Sequence, residues 1–325
     1  MRQVTSTASA PGRICLVGEH CDWAGGAGLT VPMDRSVRLE WRATGESPRF
    51  GATSWFEGRE ARWNGEGDPG LFRLIPACFD AVGEALSGEL RITADLPAGR
   101  GFSSSAALCV AMVRALRPGW DPTTIAEAAY SAERATGSEI GRMDPLACAW
   151  GVPLHLRFHG DAVICEPVAG RCALAVGVFP SPRDTRAILT TLNQHHAGEV
   201  SLRDWSAVAR VGAVRGAIER FAAETDRATE ALRDHDLAVL GGAMNACQDV
   251  YEDDLVPSFP ELRAPGLARA VRALRAAGAL GAKFTGAGGD GSVIGLYEPG
   301  KAEAGVRALD ALGLSAFCVE VCSPA

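Results

Sequence analysis

The sequence predicts a globular protein of two domains in which strands and helices are mixed. The chain has 325 residues, more than one hydrophobic core usually organises, so two domains are expected. Hydrophobic residues make up 47% of the chain and charged residues 22%, the balance of a soluble globular protein. Segments with period-two apolar alternation, typical of strands, occur between segments with helical periodicity. We expect the boundary near residue 170, which gives domains of residues 1–170 and 171–325.

The first domain begins with a short apolar strand, RICLV at residues 13–17. Further strands are predicted at 36–44, within 49–63, and at 89–95, 154–158 and 162–168. Helices are predicted at 69–86, 106–116, 123–136 and 143–149.

The second domain begins with an apolar strand at 173–179 and contains another strand at 292–297. Helices are predicted at 184–195, 202–220, within 222–238, and at 237–251 and 267–277. His195 and His196 are adjacent, so they point in different directions on a helix. They are therefore expected to form an exposed helix end rather than a metal-binding pair.

Charge, hydropathy and cysteine usage exclude several classes of function. A net charge of −7 gives no reason to expect a nucleic-acid partner, and no apolar segment is long enough to span a membrane. The N-terminal residues lack the apolar core of a signal peptide, so a cytoplasmic location is expected. The ten cysteines include no CxxC spacing, which favours free buried thiols over disulfides or zinc ligands. Only Lys283 and Lys301 among the 32 basic residues are lysine.

Residues 96–108, LPAGRGFSSSAAL, have the composition of an anion-binding loop. Gly99 and Gly101 allow backbone N–H groups to approach a ligand, and Ser103, Ser104 and Ser105 stand where a first helical turn has unpaired donors. Because a strand is predicted before this loop and a helix after it, the helix dipole would favour a phosphate there. A serine beside a bound polyphosphate can also ligate Mg²⁺. The alternative is an ordinary strand-to-helix turn capped by serine.

A second polar segment, GEHCDWAGG at residues 18–26, follows the first strand as a tight turn bracketed by glycines. Glu19, His20 and Asp22 would be costly to bury without partners, and a ligand rich in hydroxyl groups would supply such partners. The alternative is a polar surface turn in which Asp22 caps the backbone.

Two further features concern Asp144 and a glycine-rich segment near the C-terminus. Asp144 precedes Pro145 in a small, apolar neighbourhood, so it is either a helix N-cap or a chemical group. Residues 286–291, GAGGDG, fit the pattern GxGxxG. A dinucleotide fingerprint follows a strand and opens a helix, whereas these glycines precede the predicted strand at 292–297. The dinucleotide interpretation therefore fails, and no GxxxxGK[ST] segment is present.

Taken together, the three glycine-rich segments resemble the GHMP kinase family, named after galactokinase, homoserine kinase, mevalonate kinase and phosphomevalonate kinase. PGRICLVGEHCDWAGG is similar to the galactokinase signature, LPAGRGFSSSAAL to the nucleotide loop of the family, and AKFTGAGGDGSV to the mevalonate kinase version of the third motif. The resemblance implies an N-terminal α/β domain with a left-handed βαβ unit. It also implies a C-terminal α+β domain of the ferredoxin-like type.

The resemblance implies specific roles for matching residues. Asp144 would be the catalytic base and Arg13 its neighbouring cation. Mg²⁺ would be held by Ser105 and Glu133, and the sugar hydroxyls by Glu19, His20 and Asp22. ATP would contact Gly99, Arg100, Gly101, Ser103, Ser104, Ser105, Gly286, Gly288 and Gly289. Arg183 would pair with a distal phosphate on the substrate or, as the alternative, begin a helix in solvent.

The predicted function is a sugar kinase that uses ATP and Mg²⁺. A carboxylate at Asp22 suits a polyol and repels an anionic substrate such as mevalonate. Pro145 stands where galactokinases carry glutamine after the catalytic aspartate, which favours a sugar 1-kinase for an unusual sugar such as a heptose or octose. The alternatives are galactokinase proper, a mevalonate kinase-type enzyme, and a sugar and ATP sensor without turnover. The expected partners are the sugar and ATP, without nucleic acid or membrane, and the chain would be a monomer or homodimer.

Overall fold

The computed structural model describes residues 5–43, 51–56, 59–138, 140–180, 185–198 and 205–322. Its contacts divide the chain into two compact units. The first unit comprises Met1–Arg13, Pro32–Ala98 and Phe102–Gly151. The second comprises Ile14–Val31, Gly99–Gly101 and Val152–Ala325. The division at residue 170 into two sequential domains stays a prediction.

The strands are β1 (Thr5–Val17), β2 (Gly26–Arg42), β3 (Gly51–Phe56), β4 (Arg59–Trp63), β5 (Glu89–Ala94), β6 (Leu154–His159), β7 (Ala162–Pro167), β8 (Arg171–Val178), β9 (Gly281–Phe284), β10 (Ser292–Tyr297) and β11 (Ser315–Cys322).

The helices are α1 (Cys21–Ala24), α2 (Leu74–Ala81), α3 (Ser104–Leu116), α4 (Pro122–Ala135), α5 (Met143–Trp150), α6 (Thr185–Ala197), α7 (Trp205–Arg233), α8 (Leu237–Val250), α9 (Val256–Ser258), α10 (Pro265–Ala276) and α11 (Glu303–Asp310).

The first unit is an α/β arrangement. In its sheet β5 lies between β2 and β3, antiparallel to β2 and parallel to β3, while β4 pairs with β3. Leu90 and Ile92 of β5 are buried and the residues between them are exposed, as expected for a half-buried strand. Helices α2, α3 and α5 all pack against α4. The apolar faces of these helices, including Val110 and Met112 of α3, form the helical part of the core.

The second unit contains a four-stranded antiparallel sheet in the order β11, β8, β10, β9. Along the chain these strands and the helices between them form the pattern β–α–β–β–α–β, which is that of the ferredoxin-like fold. The fold class predicted from the sequence is therefore confirmed. A hairpin of β6 and β7 belongs to the same unit, and the first residues of β2 pair with β6.

Several predicted elements differ from those observed. The helices expected at 202–220 and within 222–238 are one helix, α7, because Phe221 and Thr225 are buried within a continuous helical segment. The expected polar turn at 18–26 contains one helical turn, α1. Strands β9 and β11 and helix α11 were not predicted. Strand β9 has only four residues, too few for an alternating pattern, and β11 pairs with β8, which is distant in sequence.

The cysteines are all free thiols, as predicted. Seven of them are buried: Cys15, Cys21, Cys78, Cys109, Cys148, Cys172 and Cys247. Burial raises the pKa of the Cys148 and Cys21 thiols well above its usual range, so these thiols stay protonated and unreactive. Among the described helices, none is long and apolar enough to cross a membrane.

Candidate active site

Arg13 and Asp144 form an ion pair in the first unit. Strand β1 carries Arg13, and Asp144 lies in the first turn of α5. The Nε and Nη2 atoms of Arg13 donate to Oδ1 of Asp144 at 2.8 and 2.5 Å. The Arg13 side chain is buried, whereas 28% of the Asp144 side chain is exposed. The N-cap alternative for Asp144 is wrong, because Arg142 occupies that position and the Asp144 carboxylate binds Arg13.

The N-terminus of α3 is arranged as an anion site. The helix begins at Ser104, so the N–H groups of Ser104 and Ser105 have no acceptor within it. Ser103 precedes the helix in the left-handed conformation, with φ 60° and ψ 38°, which costs a non-glycine residue about 1 to 2 kcal/mol. Its hydroxyl makes no capping bond and, among the described residues, Oγ is buried without a partner. The alternative of an ordinary serine-capped turn is therefore not the conformation observed.

Glu133, near the end of α4, meets Ser105 in the same unit. The Ser105 hydroxyl lies close enough to the Glu133 carboxylate to lower its pKa, although burial outweighs this effect. Burial, and to a lesser extent the charge of Asp144, raises the pKa of Glu133 to about 7 against the opposing effects of Ser105 and Arg73. The Oε2 atom of Glu133 is buried and has no hydrogen-bond partner in the described part of the chain.

These two oxygen donors fit a magnesium ion. Mg²⁺ binds through one or two protein oxygens while phosphates and waters complete its shell. A carboxylate oxygen that is buried without a partner is what a bound cation would satisfy. Within the described residues no group of three or more His, Cys, Asp or Glu side chains could hold a metal ion.

The polar turn, residues 18–26, lies in the second unit, and its polar side chains differ in how deeply they are buried. Gly18 has φ +94° and a Cβ there would lie 2.2 Å from the carbonyl oxygen of Ala27, so only glycine fits. Glu19 is buried and forms an ion pair with Lys283. His20 is also buried and adopts the left-handed conformation with φ 69°. Asp22 is half-buried and is therefore the most accessible of the three predicted sugar ligands.

Aromatic rings pack against one another at this turn. The His20 and Trp23 rings meet edge to face with centroids 5.7 Å apart, and Trp23 meets His196 at 5.5 Å. His195 contacts Phe259 with centroids 5.0 Å apart. Burial lowers the pKa of His196, with a smaller contribution from the Arg215 charge. His195 and His196 lie in the last turn of α6, as expected, but the prediction that they are exposed is wrong, because both are half-buried.

The third glycine-rich segment is held by Tyr251. Gly286, Gly288 and Gly289 have φ values of 81°, 87° and 70°. A Cβ on Gly288 would lie 2.7 Å from the Tyr251 ring, and the N–H of Gly289 donates to the Tyr251 hydroxyl at 2.8 Å. The Gly289 N–H is thus already engaged, so Gly289 would contact ATP through other atoms. The segment precedes β10, as expected.

Gly99, Arg100 and Gly101 belong to the second unit. Both glycines have positive φ, 64° and 86°. The Nη2 atom of Arg100 donates to the carbonyl of Pro180 at 2.9 Å, and the Ser292 hydroxyl donates to the Arg100 carbonyl at 2.6 Å. Nη1 of Arg100 is buried and has no partner among the described residues, so it is a donor that a phosphate would satisfy. Arg183, predicted to contact the substrate, lies outside the described residues.

The structure thus places the predicted site residues in two groups. The first unit brings together Arg13, Asp144, Ser105 and Glu133. The second unit places Glu19, His20 and Asp22 on one turn and holds the other two glycine-rich segments. Sequence reasoning missed Lys283, Tyr251 and Gln248; the one available signal was that Lys283 is one of only two lysines.

Three family profiles match this chain. The family profile described as "GHMP kinases N terminal domain" matches residues 73–152. The profile "GHMP kinases C terminal" matches residues 228–313. A third profile, "Galactokinase galactose-binding signature", matches residues 2–42. The three matches follow one another along the chain and include Ser103, Asp144 and the polar turn.

Two relatives align with nearly the whole length of this chain. A galactokinase of Roseiflexus sp. is 27% identical over 90% of this chain and 84% of its own length. A mevalonate kinase of Aeropyrum pernix is 27% identical over 97% of this chain and 95% of its own.

Solved structures show the same fold. The mevalonate kinase of L. major in complex with R-mevalonate has a TM-score of 0.78 at 19% identity, covering 99% of this chain and 98% of its own. The galactokinase of Lactococcus lactis complexed with galactose has a TM-score of 0.77 at 19% identity, covering 98% of this chain and 93% of its own. The matches to the N-terminal and C-terminal family domains, together with the shared fold, show that this chain belongs to the GHMP kinase family.

Proposed function

We propose that this chain transfers the γ-phosphoryl group of ATP to a hydroxyl of a sugar, in a reaction that requires Mg²⁺. The hydroxyl we propose is the anomeric 1-OH, and the sugar is a heptose, octose or another unusual sugar. The observation that carries the sugar assignment is the half-buried carboxylate of Asp22 within the segment that matches the galactose-binding signature. The kinase assignment follows from the family itself.

Asp144 serves as the base in this proposal. Nε and Nη2 of Arg13 both donate to Oδ1 of Asp144, and we assign Oδ2 of this partly exposed carboxylate to accept the proton of the attacking hydroxyl. Arg13 fixes the orientation of the carboxylate through two donors from one guanidinium. Phosphoryl transfer depends mainly on positioning and charge stabilisation, so a fixed base beside a buried cation suits the reaction.

The first turn of α3 binds the phosphates. The N–H groups of Ser104 and Ser105 and the positive end of the helix dipole favour an anion. Nη1 of Arg100 adds a charged donor in a chain whose net charge is −7. Ser105 and Glu133 would hold Mg²⁺, which when bound neutralises phosphate charge. Gly99, Gly101, Ser103, Gly286, Gly288 and Gly289 complete the proposed nucleotide contacts.

Asp22 selects the acceptor. A carboxylate accepts hydrogen bonds from hydroxyl groups and repels a substrate carboxylate, which favours a sugar over mevalonate. Glu19 and His20 assist from the same turn. Arg183 is proposed to bind a distal phosphate where the substrate carries one.

The test is a screen for ADP release with purified protein, ATP and Mg²⁺. The panel contains free hexoses, heptoses and octoses, their distal phosphates, mevalonate and homoserine. We expect turnover with at least one sugar, and ³¹P NMR of the product identifies the phosphorylated oxygen. The Asp144→Asn variant is the matched control, because background ATPase would survive this change and sugar phosphorylation would not.

A mevalonate kinase-type activity is the second candidate, since the Aeropyrum pernix mevalonate kinase aligns with 97% of this chain. Turnover of mevalonate without turnover of any sugar would establish this candidate and contradict the sugar proposal. Tight binding of a sugar and of ATP without ADP release would instead indicate a sensor. Turnover of galactose above every other sugar would indicate galactokinase proper.

A further inference from the structure

Lys283 is a fully buried cation on β9 that no part of the proposed reaction uses. Its side chain has no exposed surface, and its Nζ atom donates to Oε1 of Glu19. Nζ also donates to the carbonyl of Phe284 at 2.7 Å and lies 4.4 Å from the centre of the Phe284 ring. The ammonium group therefore contacts Glu19 in the polar turn and Phe284 on its own strand.

The residue type at this position is informative. The chain has 32 basic residues, of which two are lysine. The other, Lys301, is exposed and pairs with Glu298 three residues away. An arginine is planar, larger and carries five donors, whereas lysine is a compact charge with three. In a chain that otherwise uses arginine, a lysine in a closed space indicates that the compact ammonium is needed there.

The residue that follows β9 contacts the strand that precedes the polar turn. Thr285 comes directly after β9, and Cys15 lies in β1. The Thr285 hydroxyl donates to the Cys15 carbonyl at 3.1 Å and accepts from the Cys15 N–H at 3.2 Å. Gln248 fixes β9 further, because its Oε1 accepts from the Phe284 N–H at 2.9 Å.

These contacts determine which carboxylate oxygen of Glu19 is left to accept a hydrogen bond from a ligand. Oε1 is occupied by Lys283, while Oε2 is buried and has no hydrogen-bond partner in the described chain. A buried carboxylate oxygen without a partner is costly. The structure therefore leaves one oxygen of Glu19 for one hydroxyl donor, and the position of that oxygen is set by Lys283.

We propose that Lys283 is a positioning residue for sugar recognition, which holds Glu19 so that Oε2 meets one substrate hydroxyl. This inference rests on the proposed function, since it assigns Glu19 to the sugar. Lys283 itself touches neither the sugar nor ATP. Removing its charge should therefore weaken sugar binding while nucleotide binding and the chemical step remain close to normal.

The experiment compares Lys283→Met, Lys283→Arg and Glu19→Gln/Lys283→Met with the wild-type protein. Lys301→Met is the matched control, because it removes the other lysine from an exposed position. KM and kcat are measured with the panel sugar that gives the highest rate of ADP release, and nucleotide affinity with a fluorescent ADP analogue. Thermal unfolding reports whether each variant is folded.

We expect Lys283→Met to raise the sugar KM at least tenfold, with kcat and nucleotide affinity changed less than threefold. The double variant should have a sugar KM within threefold of Lys283→Met, because both changes remove the same oriented carboxylate. Lys283→Arg should lie between wild type and Lys283→Met, since it restores the charge in a different shape.

A folded Lys283→Met with an unchanged sugar KM would overturn the inference, as would equal rises in the sugar KM and the nucleotide dissociation constant. If Lys283→Met does not fold, Lys283→Arg decides: a rise of at least threefold in the sugar KM supports the inference, and no rise overturns it. Failure of the wild-type protein to phosphorylate any sugar would instead contradict the proposed function, and this inference with it.

Discussion

Glu133 in the first unit and Glu19 in the second are both buried carboxylates, but they have different partners. Glu19 forms an ion pair with Lys283, whose side chain is fully buried. The nearby Ser105 hydroxyl opposes the rise in the pKa of Glu133, and no salt bridge to Glu133 occurs among the described residues. In the described part of the chain, each retains one buried oxygen without a hydrogen-bond partner. Glu19 is thus neutralised by the protein itself, which contrasts with the proposal that Glu133 is neutralised by a bound Mg²⁺.

Asp144 differs from both, because it is partly exposed and paired with a buried arginine. The largest effect on activity is expected from Asp144→Asn. The substitution keeps the shape of the side chain and removes the proton acceptor, so kcat should fall about 10²- to 10⁴-fold. Binding of a fluorescent ATP analogue should change little. An Asn variant with near-normal turnover would remove Asp144 from the mechanism.

The second prediction concerns the ion pair of Glu19 with Lys283 and is tested by measuring the stability of the folded protein. Glu19→Gln leaves the Lys283 charge buried without its counterion, and breaking a buried pair in this way costs about 3 to 5 kcal/mol. Urea unfolding at pH 7 measures the loss. The neutral double variant Glu19→Gln/Lys283→Met should recover most of it. Equal stability of Glu19→Gln and the wild type would show that the pair does not balance two buried charges.

The third prediction concerns Glu133. Here the substitution is expected to raise the stability of the protein, whereas Glu19→Gln lowers it. Burial raises the pKa of Glu133 from 4.5 to about 7, so folding is penalised once the unfolded chain has ionised this group. The penalty is absent below pH 4.5, grows as the pH rises to about 7, and then stays at about 3 kcal/mol. Glu133→Gln cannot ionise. Without Mg²⁺ and nucleotide it should be more stable than the wild type at pH 8 and similar at pH 4.5.

Denaturant unfolding of both proteins at the two pH values measures this difference. A constant difference between the proteins at the two pH values would contradict the raised pKa. The stabilised variant should also need more Mg²⁺ for turnover, because it lacks the carboxylate proposed as a ligand.

The contrast between the two glutamates could not be predicted from the sequence. Local patterns predicted the loop at Ser103–Ser105, the strand β5 and the helices around it, because periodicity and glycine placement are local signals. Resemblance to a family indicated that Arg13 lies beside Asp144, although 131 residues separate them. The partner of Glu19 is 264 residues away, and nothing near either residue indicates the contact. The pairing of β11 with β8 was missed for the same reason.

The backbone conformations of two site residues also could not be predicted from the sequence pattern. Ser103 and His20 adopt left-handed conformations that serine and histidine rarely take. Strained residues of this kind persist where surrounding structure holds them, often at functional sites. The sequence showed only that these residues are polar and lie next to glycines, which is equally true of ordinary turns.

The last and smallest expected effect concerns Asp22, which lies on the same turn as Glu19 but is half-buried and close to solvent. If its carboxylate accepts hydrogen bonds from the sugar, Asp22→Ala should cost about 1.5 to 3 kcal/mol of transition-state stabilisation, or roughly ten- to hundredfold in kcat/KM. Because Asp22 is no part of the Glu19–Lys283 pair, Asp22→Ala leaves no buried charge without its counterion, so its loss of stability should be smaller than that of Glu19→Gln.

The measurement that isolates the contact is a double-mutant cycle between Asp22 and the substrate. Deoxygenating the contacted hydroxyl should reduce kcat/KM of the wild type and leave the Asp22→Ala variant nearly unaffected, since the partner is already absent. The affinity for the ADP analogue serves as the control, because the proposed nucleotide contacts lie at the start of α3 and in the glycine-rich segments. A sugar preference that is unchanged in Asp22→Ala would remove the carboxylate from sugar recognition. The selectivity against mevalonate would then have to come from another residue, and Glu19, held by Lys283, is the remaining carboxylate of the turn that could supply it.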